Sequence, residues 1–194
     1  MSDTKLEPRS ALAGAISTAR SRVTIESIEG LTIAHVAARK GQSQALRARL
    51  QELTGVAAPT ASQFAAGKDI SLLWAGPDQW LAMASGVNGR ELERELREAC
   101  TGLASVADQS DARSIVRVSG PMARATLAKG VPIDLHPRAF GAGSAAITHA
   151  AHIGVLLWKP DASDMYLLAC PRSYAGSLWS WLSHAAAEYG ITIN

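Results

Sequence analysis

The sequence has 194 residues, of which 47% are hydrophobic and 19% charged. This is the balance of a folded globular chain rather than a disordered one. Lys and Arg number 19 against 17 Asp and Glu, for a formal net charge of +2, with no basic block of five or more. Neither nucleic acid nor an anionic membrane is therefore an expected partner. The length accommodates one large domain or two small halves sharing a core.

No apolar run approaches the roughly 18 residues that cross a bilayer, and the opening MSDTKLEPRSALAGAIS lacks the basic start and long apolar core of a signal peptide. Cys100 and Cys170 are too few for a disulfide framework and have no C-x-x-C spacing. The expected location is a reducing cytoplasm. Residues 1–20 read as an N-terminal arm, polar around Pro8 and Arg9 and mildly apolar from Leu12 to Ile16, either frayed or docked.

In chain order, RVTIESIEGLTIAHVAARK alternates apolar and polar residues. Val23, Ile25 and Ile28 predict one strand, Ile33 with His35 or Ala34 with Val36 a second, and Glu29-Gly30 a turn between them. GQSQALRARLQELTG sets Leu46, Leu50 and Leu53 on a helical face that Gly55 is suited to stop. ISLLWAGPDQWLAMAS predicts a hairpin about Gly76-Pro77-Asp78. NGRELERELREACTG predicts a charged amphipathic helix, capped by Asn88, facing inward with Leu92, Leu96 and Ala99, and ended by Gly102.

The second half repeats this order. LASVADQS and SIVRVSG read as strands, and PMARATLAKG as a helix opened by Pro121 and closed by Gly130. VPIDLHPRAFGAG reads as a loop. SAAITHAAHIGVLLWKPDASDMYLLAC predicts two or three strands with a turn at Pro160-Asp161. PRSYAGSLWSWLSHAAAEYG predicts a helix with Tyr174, Leu178, Trp181, Leu182, Ala185 and Tyr189 on one face. The first helices, near Gln42 and Met122, stand 80 residues apart, and the second, near Gly89 and Ser173, stand 84 apart. The expected fold class is α+β: internally duplicated strand-strand-helix-strands-helix units, mainly antiparallel, with helices on one face of each sheet. Residues 1–20 would be the arm and 21–194 a single domain of two pseudo-repeats, about 21–102 and 103–194.

ADQSDARSIVRVSG, residues 107–120, has the residue types of a catalytic cluster. A serine nucleophile, however, needs a base and a group that orients it, and neither a nearby histidine nor a G-x-S-x-G elbow accompanies Ser110. The reading preferred here has Asp108 and Ser110 bonding backbone N–H groups at a turn between strands. Arg113 and Arg117 share one strand face, opposite Val116 and Val118, which suits a solvated or partner-facing side. HAAH, residues 149–152, sits in strand-like surroundings that would send its two rings to opposite faces, without acidic or thiol ligands. No phosphate-binding glycine pattern is present. Among five tryptophans, Trp74, Trp80 and Trp158 fit core strand positions and Trp181 the helix stripe, while Trp179 lies near the stripe's edge, as core or as an interface anchor.

DQSDARSIVRVSGPMARATLAKGVPIDLHPRAF resembles the gamma subunit of heterotetrameric sarcosine oxidase. The shared features include Asp108-Gln109-Ser110, Arg113, Ser119-Gly120-Pro121, Lys129-Gly130, Asp134-Leu135-His136-Pro137-Arg138 and Phe140. PRSALAG near the start and PRSYAGSLWSWLSHAAAEYG near the end extend the resemblance to nearly the whole chain. The D-x-S, strand, G-x-x-A-x-x-x-L pattern also resembles the folate-binding domain of glycine-cleavage aminomethyltransferases.

The first resemblance implies a non-catalytic subunit that supports assembly with alpha, beta and delta subunits. Such a complex oxidises sarcosine to glycine, hydrogen peroxide, and formaldehyde or methylenetetrahydrofolate. It further implies FAD, FMN, NAD and tetrahydrofolate sites on the alpha and beta subunits, zinc on delta, and no cofactor on this chain. No catalytic, cofactor-binding or metal residue is carried over. Arg113, Arg117, Arg138, Phe140 and Trp179 are the candidate subunit-interface residues. The alternatives are the equivalent subunit of an N-methylglutamate dehydrogenase complex and a stand-alone folate-binding protein.

Overall fold

The computed structural model describes residues 16–17 and 21–193; the rest of the predicted arm lies outside the described residues. The strands are β1 (Ile16–Ser17), β2 (Val23–Ile28), β3 (Leu31–Ala38), β4 (Phe64–Ala65), β5 (Ile70–Gly76) and β6 (Gln79–Ser85), then β7 (Ala104–Asp108), β8 (Arg113–Ser119), β9 (Ala145–Ala150), β10 (Ile153–Trp158), β11 (Met165–Pro171) and β12 (Ile191–Ile193). The helices are α1 (Ser43–Thr54), α2 (Gly89–Ala99), α3 (Ala123–Ala128) and α4 (Ala175–Ala186).

Local signals account for most of these elements. Leu46 and Leu50 of α1 are fully buried, and Gly55 ends the helix in the left-handed conformation. Asn88 caps α2 in a full capping box, accepting from the Glu91 N–H at 2.9 Å. The β5–β6 hairpin turns at Pro77-Asp78, as its glycine and proline predict. In α4, Leu178, Leu182 and Ala185 are buried as expected, but Tyr174 is 52% exposed, because it belongs to a short 3-10 turn that precedes the helix.

Two sheets result. The larger runs β1-β12-β2-β8-β11-β10-β9 and the smaller β4-β5-β6-β3-β7. Pairing is antiparallel apart from β12 against β2. The alternation of side chains along each strand serves two cores at once. On the larger sheet, Val116 and Val118 face α3 and α4 in one core while Ile115 faces the other sheet. On the smaller sheet, Ala34 and Val36 face α1 and α2 while Ile33 faces inward. Helices thus cover one outer face of each sheet, and the inner faces meet in a layer that includes Leu81, Leu156 and Trp158.

The strands flanking Glu29-Gly30 do not form a hairpin. β2 pairs with β8 and β3 with β6 and β7, so the chain crosses from one sheet to the other at that turn. Between β7 and β8 it crosses back. The first strand of each half therefore sits in the other half's sheet, and each half completes its neighbour.

Candidate functional site

Asp108 and Ser110 lie where the chain crosses between the sheets. Asp108 Oδ1 accepts from the Ser110 N–H at 2.9 Å and from the Ser110 hydroxyl at 2.7 Å. The Ile33 N–H donates to Ser110 Oγ at 3.1 Å, and the Gln109 N–H donates to the Ile33 carbonyl at 2.8 Å. The pair thus ties the turn to the middle of β3. The Asp108 carboxylate also lies against Gly89, so closely that a methyl group there would overlap it. This puts a negative group at the N-terminus of α2, where the helix dipole favours it.

Arg113 and Arg117 share a face, as the alternation predicts, and that face is the inner one, with buried Ile115 between them. The larger sheet therefore has an apolar centre with an arginine toward either end. The two arginines differ in what they meet. Arg117 donates to the Glu26 carboxylate at 2.9 Å across the β2–β8 ladder. Arg113 forms no ion pair among the described residues; the Nε of each arginine is buried without a hydrogen-bond partner among them, so the counter-ion is what separates the two. Burial lowers its pKa from the ordinary arginine value, opposed by nearby Cys170; the guanidinium nonetheless keeps its charge.

Arg113 lines a cleft of about 320 Å³ at one end of the inter-sheet layer. His35, Gln79, Thr148 and His149 supply its other polar side chains, and no acidic residue lines it. His35 Nε2 and Gln79 Oε1 are 3.0 Å apart, which steadies that wall. Ile147, on the rim, is 56% exposed. A second cleft, of about 590 Å³, opens near the β5–β6 hairpin, lined by Phe64, Met83, Trp158 and Leu167 together with Lys68, Asp69 and Glu95.

The other residues singled out in the sequence are dispersed. Arg138 is exposed, and its N–H donates to His136 Nδ1 at 3.2 Å. Phe140 is 5% exposed and lies 6.4 Å from Tyr166, ring to ring, inside the helix-side core. Trp179 is half-buried against the same core. Trp80 and Trp158 are each 1% exposed, whereas Trp74 is half-buried. Burial pushes both thiols, Cys100 and Cys170, above the ordinary range. HAAH is neither helix nor continuous strand: His149 and Ala150 are the last two residues of β9, and Ala151-His152 make a two-residue turn with φ of 48° and 73°. Sequence reading missed that turn because neither residue is the Gly or Asn that positive φ favours.

Residues 39–188 match the family described as "Sarcosine oxidase, gamma subunit family". The sarcosine oxidase subunit gamma of Corynebacterium sp. (strain P-1) is 40% identical over 146 residues, 73% of this chain and 70% of that protein. That of Arthrobacter sp is 35% identical over 171 residues, 87% of this chain and 77% of that protein. Among solved structures, the heterotetrameric sarcosine oxidase from Corynebacterium sp. U-96 in complex with pyrrole 2-carboxylate contains a similar chain. It is 31% identical with a TM-score of 0.77, over 89% of this chain and 88% of that one. The glycine cleavage system aminomethyltransferase T from Bartonella henselae shares the fold, with a TM-score of 0.66 at 16% identity over 90% of this chain and 48% of that one.

Proposed function

The chain belongs to the sarcosine oxidase gamma subunit family, and from that premise we propose that it is the non-catalytic gamma subunit of a heterotetrameric sarcosine oxidase. It supports assembly of a complex that oxidises sarcosine to glycine and hydrogen peroxide, releasing the methyl carbon as formaldehyde or as methylenetetrahydrofolate. In this reading its partners are alpha, beta and delta subunits. FAD, FMN, NAD, tetrahydrofolate and zinc reside on those partners, and the complex works in the cytoplasm. Residues 21–194 act as one domain of two interlocked pseudo-repeats.

The observation that carries the structural role is where Asp108 and Ser110 direct their bonds. The cluster that most resembles a catalytic centre is engaged in holding the crossing between sheets, with Ser110 Oγ receiving the Ile33 N–H and Asp108 Oδ1 receiving both groups of Ser110. A nucleophilic serine would need a base in that place.

Co-expression with the large subunits tests the proposal. The chain is expected to elute with them in one complex that oxidises sarcosine, while the isolated chain turns over no sarcosine. Elution as a separate monomer in their presence, or turnover by the isolated chain, would sink it. Micromolar binding of tetrahydrofolate to the isolated chain would favour a folate-binding protein instead.

A further inference from the structure

We propose that the Arg113 cleft is a docking corner that receives an acidic side chain from another subunit of the complex, with Ile147 as its apolar anchor. This rests on the subunit reading above and deepens it by naming the surface and the chemistry it takes. Three observations converge. First, Arg113 is half-buried and lacks a carboxylate among the described residues. A desolvated guanidinium without a counter-ion is costly, and a bidentate carboxylate is the group its planar fork fits. Second, the cleft's other polar groups are two histidines, a glutamine and a threonine, with no competing acid. Third, Ile147 stands on the rim at 56% exposure, on β9, an edge strand of the larger sheet. A charged pocket beside an exposed branched apolar side chain and a strand edge that no described strand pairs is the make-up of an interface rather than of a solvated face.

The sheets' unequal edges explain why the corner is open. β4, at the margin of the smaller sheet, is two residues long, whereas β9 has six. Only the Ala145 end of β9 is covered: Ala145 is buried in the inter-sheet layer, and Gln63 beside β4 bridges to Ser144. The Ile147–His149 end extends beyond that cover, with both residues exposed. Arg117, on the same face, already has the Glu26 carboxylate as its counter-ion.

The test uses the full chain assembled with its large subunits, comparing wild type with Arg113→Gln, Arg113→Glu and Ile147→Ser. Apparent dissociation constants come from dilution of the purified complexes, and the thermal midpoint of each isolated chain reports folding. Loss of a desolvated charge pair is expected to weaken assembly by about thirtyfold or more for Arg113→Glu. Arg113→Gln should lie between that and wild type, Ile147→Ser should weaken assembly less, and all three chains should stay folded. If Arg113→Glu does not fold, Arg113→Gln and Ile147→Ser decide. Wild-type affinity in the folded variants overturns the docking corner and leaves the subunit reading standing. Failure of the wild-type chain to assemble at all overturns both. Self-association of the isolated chain that Arg113→Glu abolishes would assign the corner to a second copy and overturn the proposal.

Discussion

The two sheets follow one strand order and end differently. β4-β5-β6-β3-β7 in the smaller corresponds, position for position, to β9-β10-β11-β8-β2 in the larger, and the larger then continues through β12 and β1. The central pairings are near-equivalent, so each half has the same means of burying its helices. Differences concentrate at the margins, where β9 outgrows β4 and where β12 seals β2 but nothing among the described strands seals β7. The lesson is that the middle of such a fold is constrained by packing on both faces, whereas the edges are free to diverge and acquire partners.

The sharpest way to break the equivalence is at the glycines that follow β3 and β8. Gly120 has φ of 106°, and a Cβ there would lie 2.5 Å from the Arg22 carbonyl oxygen, whereas Gly41 has φ of 78° and open space around it. Gly120→Ala is expected to cost about 3 kcal/mol or more, from strain plus overlap, and Gly41→Ala only about 1 kcal/mol from strain alone. Urea denaturation of the isolated chain measures both, and equal costs would show the two strand-to-helix turns to be equally tight.

Asp108→Ala comes next. It removes the acceptor of both Ser110 bonds and the negative group at the start of α2, for an expected loss of about 2 kcal/mol. Ser27 is at the corresponding place near the end of β2, where its hydroxyl donates to the exposed Glu29 carboxylate two residues on. Ser27→Ala should change the denaturation midpoint little.

Smaller effects separate the two arginines. Arg117→Gln breaks the Glu26 pair, whose side chains are 38% and 34% exposed, and is expected to destabilise the isolated chain by about 0.5–1 kcal/mol, less at high salt. Arg113→Gln should leave the isolated chain as stable or slightly more so, since it relieves desolvation without breaking an ion pair. Comparable losses from the two would mean that Arg113 has an intramolecular partner after all. A small gain is expected at the β9–β10 turn, where His152→Gly should stabilise by about 0.5 kcal/mol by relieving positive φ. A shift of the thermal midpoint by roughly one to two degrees would register it.

The sequence by itself determined the elements and their faces. Helix α2 could be read from Asn88, its leucines and Gly102, the β5–β6 hairpin from Gly76-Pro77-Asp78, and the opposition of Val116 and Val118 to Arg113 and Arg117 from period-two alternation. These depend on neighbours within a few residues, where stereochemistry leaves few choices. β12 escaped notice because three residues after a helix carry too little periodicity, and the β9–β10 turn because Ala151-His152 holds an unfavourable conformation that flanking strand pairs impose. Only the tertiary structure decided that β2 and β7 exchange sheets, and that the arginine face points inward. Alternation states which side chains share a face but not what that face meets. That depends on pairing across nearly a hundred residues, as between Glu26 and Arg117. The same long-range pairing left Arg117 with an acid and Arg113 with an open cleft, a distinction that two identical residues four apart do not carry in the sequence.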